Sequence, residues 1–184
     1  MTVADRSRCG WATSAPEYVA YHDDEWGRAL HGEQALFERM SLEAFQSGLS
    51  WLIILRKRPA FRAAFAGFDV ASVARFADAD VQRLLADSGI VRNRAKIEAT
   101  IANARVVGES VPEGLDDLLW SFAPAEHARP QTIADVRAVS PESTALAKEL
   151  KRRGFRFVGP TTAYALMQAT GMVDDHVATC WRAV

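Results

Sequence analysis

Three observations predict an all-α fold for this chain. Apolar residues recur at three- and four-residue spacing, as in Leu36, Phe37, Met40 and Ala44, and a helix turns once in about 3.6 residues. Helix-starting and helix-stopping residues bracket these runs. No stretch of strict apolar–polar alternation and no βαβ pattern competes with them.

Taken in order, the first stripe is Leu36 to Ala44. The second is Val81, Leu84 and Leu85, with Asp78 ahead of it as the predicted N-cap and Gly89 behind it as the stop. A third helix begins at Arg92-Asn93-Arg94 and carries Ile97, Ile101 and Ala104. Pro and Gly interrupt the chain at 111–114 and 123–130, which read as loops. Leu146, Ala147 and Leu150 form the next stripe, whose helix ends near Gly154. Pro160 opens the following helix at a first-turn position, and Gly171 closes it after Ala169 and Thr170. The stretch 175–180 reads as one more helix. The expectation is a single helical domain over 1–184, or two interdependent lobes of which one contains a helix-hairpin-helix at 148–170.

The 184 residues are 49% hydrophobic and 24% charged, enough apolar content to build a core without outside support. No uninterrupted apolar run is long enough for a membrane helix, and the first residues lack the apolar region of a secretory signal. The expected location is cytoplasmic, and no membrane partner is expected. In that reducing setting Cys9 and Cys180 are poor candidates for a disulfide. A net charge of −1 excludes a general polyanion binder, so any nucleic acid would be held by local basic patches and backbone dipoles.

Four groups of residues could carry chemistry. His176 and Cys180, four apart on the predicted last helix, would share one face, and Cys9 and His22 near the other end could complete a closed Cys2His2 zinc site. Such a site would be structural, and isolated core residues are the alternative. Five of the eight Trp and Tyr residues, Trp11, Tyr18, Tyr21, Trp26 and Trp51, lie within the first 51 positions. They suit a stacking pocket for a planar ligand, although large aromatics are also ordinary core. Glu43 continues the Leu36–Met40 stripe onto the edge of an apolar face. It is either an acid that snorkels to water or a partly desolvated carboxylate able to accept a purine's amino edge.

The fourth group is the turn 154–159, where Gly154 ends one helix and Gly159-Pro160-Thr161 begins the next. Lys148, Lys151, Arg152, Arg153 and Arg156 surround it, the layout of a phosphate clamp at a helix N-terminus or of a solvated basic turn. Arg56-Lys57-Arg58 and Arg92-Asn93-Arg94 could extend the contact to a DNA strand.

Cys9-Gly10-Trp11, the run from Tyr21 to Gly27, Leu42-Glu43, Gly48-Leu49-Ser50-Trp51, the run from Arg153 to Gly159 and Asp175-His176-Val177 with Cys180 occur together in one order and spacing. In this the chain resembles the 3-methyladenine DNA glycosylase I family from about position 8 to its C-terminus. The resemblance implies a helix-hairpin-helix glycosylase fold, with structural zinc held by Cys9, His22, His176 and Cys180. It implies a flipped base bound among Trp11, Tyr18, Tyr21, Trp26 and Trp51, with Glu43 contacting it and stabilising charge. Gly48 and Leu49 would fill the gap left in the duplex, and Gly154, Gly159 and Thr161 would meet phosphates.

The implied partners are double-stranded alkylated DNA and free 3-methyladenine as product, and the expected assembly is a monomer. No lysine stands where a Schiff base would need one, so no strand cleavage is expected. The chain departs from the family at Phe45 and Ser47 beside the wedge, and at Asp174, where Asn is usual. Asp174 would either restore a second carboxylate and broaden the substrate range, or serve locally beside His176, the reading favoured by its neighbour. The rival functions are a non-cutting damage-binding module and a broader alkylpurine glycosylase.

Overall fold

A computed structural model describes residues 6–182, and the secondary structure of those residues is helical with no strand. The helices are α1 (Pro16–Asp24), α2 (Glu33–Gln46), α3 (Trp51–Ala64), α4 (Val70–Ala74), α5 (Asp78–Ala86), α6 (Arg94–Ser110), α7 (Leu115–Trp120), α8 (Pro141–Arg153) and α9 (Pro160–Ala169). Short 3-10 turns add Gly10–Thr13, Ala66–Phe68 and Ile133–Asp135. The predicted all-α class is therefore the observed one.

Helix α2 occupies the centre and packs against α3, α6, α7 and α9. Phe37, Phe45, Phe61, Phe65 and Phe68 interlock beside it, with ring centroids 4.6 Å apart for Phe45–Phe61 and 5.4 Å for Phe65–Phe68. Each such ring taken fully out of water contributes about 1.5–3 kcal/mol. Residues on every side of α2 are buried, Arg39, Ser41 and Glu43 included. The helix is thus a core helix rather than an amphipathic one, and Glu43 lies deeper than the edge of a stripe.

Local signals set the helix ends where they are strong. Ser140 accepts the Ser143 amide at 3.1 Å, Pro141 opens α8, and Gly154 ends it in the left-handed region at φ 103°, which an L side chain adopts only with strain. Asn93 caps α6 by accepting the Lys96 amide, so that helix starts at Arg94. For α5 the expectation shifts by one residue. Ala77 is the cap, Asp78 is already helical, and Asp80 reaches back to accept the Ala77 amide at 3.1 Å.

The larger correction is at 175–180, which forms no helix. Its amides are bonded elsewhere: His176 N–H to Asp174 at 3.0 Å, Ala178 N–H to the Pro130 carbonyl at 3.0 Å, and Cys180 N–H to Val177 at 2.8 Å. A four-residue spacing says nothing about a distant partner such as Pro130. The irregular stretch between α7 and α8, broken only by the turn Ile133–Asp135, includes the loop expected at 123–130.

Candidate active site

Helices α1, α2, α3 and α9 and the irregular stretch before α8 enclose a cavity of about 490 Å³. Trp11, Tyr18, Tyr21, Trp26 and Trp51 all line it, as do Glu43, Gln46, Ile133, Val136 and Gln168. The volume is that of a small-molecule site. The aromatics brace one another edge to face, with Trp11 5.7 Å from Tyr18 and 5.1 Å from Trp26, and Tyr21 lies 5.5 Å from Trp51. Each hydroxyl is fixed from behind: Tyr18 accepts the Leu52 amide at 3.0 Å, and Tyr21 accepts Arg39 Nη1 at 2.9 Å. Walls held in this way present π faces that need no reorganisation when a planar ligand enters.

Glu43 is 5% exposed and has no hydrogen-bond partner among the described residues. Burial pushes its carboxyl up to about 7, partly opposed by the positive charge of Arg39. Arg39 does not neutralise it. That guanidinium is bound to Glu25 at 3.1 Å and Tyr21, and Glu25 is gripped again by Arg58 at 2.6 and 2.7 Å. The acid at the pocket is left to be satisfied by something that enters it.

Sequence reading missed the rest of the lining. Ile133 and Val136 come from an aperiodic segment, and Gln168 comes from α9, so no local pattern marks them. Gln168 Nε2 donates at 2.7 Å to Asp175, a buried carboxylate that also accepts Tyr164 Oη at 2.9 Å and lies 2.8 Å from His127 Nε2.

At the other side of Trp26, Cys9, His22 and Cys180 are buried with their ligating atoms all within 4.8 Å of one another. Cys180 Sγ lies 3.4 Å from His22 Nε2. His176 falls outside that trio. Its ring sits 5.0 Å from that of His22, and its Nε2 is buried without a partner. Both imidazoles are held at Nδ1 by a carboxylate, His22 by Asp23 at 2.9 Å and His176 by Asp174 at 2.7 Å. Asp23 in turn receives Arg8 and the Trp181 indole, and the Arg8 bonds foremost hold it well below the usual carboxylate range.

Burial foremost, with the neighbouring Cys180 adding to it and a backbone hydrogen bond from Val177 opposing it, pushes the Cys9 thiol up to about 12. Gly27 lets this corner close. Its φ is 73°, and a Cβ there would lie 2.6 Å from His176 Cε1. Asp174 bonds to His176 and Arg129 and does not line the aromatic cavity. That places it with the imidazole rather than with the pocket.

Leu49, 39% exposed, tips the turn between α2 and α3, next to Gly48. The differing residues Phe45 and Ser47 separate here: Phe45 turns into the phenylalanine core, and Ser47 caps α2. Gly154, Gly159 and Thr161 are exposed at the α8–α9 hairpin, as are Lys148, Lys151 and Arg156, which make no ion pair among the described residues.

Other basic residues are already engaged. Arg152 binds Glu149, and Arg153 bridges Glu149 and Glu113. Arg56 pairs with Glu17 and Arg58 with Glu25, while Lys57 donates to the Ser88 and Gly89 carbonyls. The run 56–58, expected as a possible strand contact, is thus tied internally at each of its three residues.

A helical fold with an exposed hairpin and a separate aromatic cavity closed by a buried acid has the build of a base-excising glycosylase. The chain belongs to the methyladenine glycosylase family, whose profile matches residues 11–183. It is 45% identical to DNA-3-methyladenine glycosylase 1 of Escherichia coli K12 over 177 residues, covering 94% of this chain and 95% of that protein. A crystal structure of 3-methyladenine DNA glycosylase I superposes with a TM-score of 0.91 at 43% identity, covering 95% of this chain and 98% of the other. The Staphylococcus aureus 3-methyladenine DNA glycosylase I, whose structure concerns recognition of 3-methyladenine, superposes at 0.90 with 34% identity over 96% of each chain.

Proposed function

We propose that this protein releases 3-methyladenine from alkylated double-stranded DNA by hydrolysing the N-glycosidic bond, without cutting the strand. The observation that carries the proposal is Glu43, a buried carboxyl with no hydrogen-bond partner among the described residues, in a cavity walled by five aromatic side chains. A neutral ligand would gain little from such an acid, whereas a cationic purine would satisfy it. Methylation at N3 makes the nucleotide base cationic. Aromatic faces then contribute about 0.5–2 kcal/mol per well-placed contact, and the ionised Glu43 accepts from the exocyclic amino edge.

The chemistry needs little more. As the bond from the sugar C1′ to the base nitrogen breaks, its electron pair moves onto the cationic ring, which leaves as neutral 3-methyladenine. Positive charge develops at the sugar, where the Glu43 carboxylate stabilises it. Water adds to C1′ and its proton passes to solvent. Gly48 and Leu49 would fill the space vacated in the duplex, and the first-turn amides of α9, near Gly154, Gly159 and Thr161, would hold phosphates. Asp174, bonded to His176 and Arg129, has no part in this scheme.

Cys9, His22, His176 and Cys180 would hold one structural zinc. The donor set fits, since both imidazoles are engaged at Nδ1 by carboxylates, which turns His22 Nε2 to the Cys180 thiol at 3.4 Å and leaves His176 Nε2 without a partner among the described residues. The ion would stabilise the thiolates and tie the two ends of the chain together.

The deciding measurement is release of free 3-methyladenine from methylated duplex DNA. Release well above the spontaneous rate, with intact strands, is the expected result. Tight duplex binding without release would make the protein a damage-binding module. Comparable release of 7-methylguanine would make it a broader alkylpurine glycosylase.

A further inference from the structure

Two buried polar side chains on α6 make no contact with the cavity yet grip both elements that would touch DNA. Lys96, 7% exposed, donates from Nζ to the Phe45 carbonyl at 2.8 Å and the Ser47 carbonyl at 2.5 Å. These carbonyls end α2 and lead directly into Gly48 and Leu49. Asn103, 2% exposed, makes a reciprocal pair with the backbone of Arg156 in the α8–α9 hairpin. Its Nδ2 donates to the Arg156 carbonyl at 3.1 Å, and its Oδ1 accepts the Arg156 amide at 2.8 Å. Phe157, the next residue, is held at φ 57°, in the region that side chains other than glycine seldom occupy.

Lys96 and Asn103 are seven residues apart, hence on one face of α6, about 10 Å apart along its axis. We propose that they are positioning residues which fix the register between the Gly48–Leu49 wedge and the phosphate-binding hairpin, so that opening of the duplex depends on α6 while binding of the free base does not. This rests on the proposed glycosylase function and on the DNA roles given there to the two turns.

Helix capping alone is a poor account of Lys96. Solvent or a local turn satisfies most exposed C-terminal carbonyls. Here a lysine amine is instead buried, at a desolvation cost that pulls its pKa down, to reach the exposed end of a helix far away in sequence. A wedge that must enter a base stack next to anchored phosphates gains from such bracing, because a misplacement of an ångström is costly in rate. One rigid helix serving both turns keeps their spacing constant.

The test uses Lys96→Met, which keeps the stem and removes the donor, with Asn103→Asp, which keeps the acceptor and loses the donor. Binding of free 3-methyladenine, read by tryptophan fluorescence, is expected to stay within about twofold of the unmodified protein. Single-turnover release from methylated duplex is expected to fall about tenfold or more for Lys96→Met and less for Asn103→Asp. Combined with Leu49→Gly, the Lys96→Met loss should be clearly less than additive, as expected if the lysine acts through the wedge.

Unchanged duplex excision in both variants overturns the proposal. So does equal loss of free-base binding and excision, or strict additivity with Leu49→Gly. If Lys96→Met does not fold, Asn103→Asp with its own free-base control decides. Absence of release by the unmodified protein would instead refute the glycosylase function.

Discussion

Replacing Glu43 with glutamine removes a charge that folding disfavours, and its effect has a sign that depends on pH. In an unfolded chain the carboxyl titrates near 4.5, and in the fold burial raises it to about 7. Each tenfold step in proton affinity corresponds to about 1.4 kcal/mol, so ionising the folded protein costs up to about 3 kcal/mol more than ionising the unfolded chain. The folded state binds the extra proton between those two values, so the penalty is absent below about pH 4.5, grows as pH rises, and is complete above about pH 7. Glu43→Gln should therefore unfold like the unmodified protein near pH 5 and be the more stable of the two at pH 8. The figure of 3 kcal/mol is a ceiling, since the amide also leaves polar atoms without partners. At about 2–4 °C per kcal/mol for a chain of this size, the shift at pH 8 is several degrees and up to roughly 10 °C. Thermal unfolding of both proteins from pH 5 to 9, alongside release of 3-methyladenine, gives the comparison. The same substitution should cut excision sharply, so that stability and activity move in opposite directions at pH 8. A stability difference of the same size at every pH, or a less stable Glu43→Gln protein at pH 8, would refute the assignment of Glu43 as a desolvated and unsatisfied acid.

Elemental analysis should find one zinc per chain, and Cys180→Ser should lose the metal together with much of the thermal stability; a metal-free protein of unchanged stability would remove the site. Gly27→Ala should lower stability by about 1–3 kcal/mol and loosen metal retention, because a Cβ at φ 73° would lie 2.6 Å from His176 Cε1; calorimetry and zinc release under a chelator read both effects. Lys151→Ala should reduce the slope of log affinity against log salt for any duplex by about 1, whereas Arg152→Ala should change it less, since Glu149 already takes that guanidinium at 2.7 Å. Equal slopes for the two variants would mean that the hairpin's ion pairs open on binding.

Local chemistry made much of this fold legible. The hairpin could be read because Gly154 and Pro160 impose backbone angles on their own positions, and the aromatic set could be read because all five members lie close together in the chain. The misreadings share one cause, which is partners distant in sequence. The stretch 175–180 has helical spacing, but its Ala178 amide goes to the Pro130 carbonyl. Arg56, Arg58 and Arg153 look like free charge in a string of letters, but each has an acid waiting on another element. Ile133, Val136 and Gln168 reach the cavity from segments whose own pattern shows only a loop or an apolar helix.

Hydrogen-bond satisfaction sorts the buried polar groups better than burial does. A polar group kept inside a fold normally finds partners there, because an unpaired one costs about 1–3 kcal/mol. Asp175 has three contacts, Asp23 is held by Arg8, His22 and Trp181, and Lys96 and Asn103 each make two bonds to backbone. These groups are complete without a ligand, so they are positioning groups. Among the described residues Glu43 has no hydrogen-bond partner and His176 Nε2 is unpaired, and both offer electron density to an incoming cation. For His176 that cation is the proposed metal, and for Glu43 it is the charged base. The two can be separated by experiment, because chelation should destabilise the fold without altering the charge preference of the pocket, while Glu43→Gln should abolish that preference and leave the metal in place.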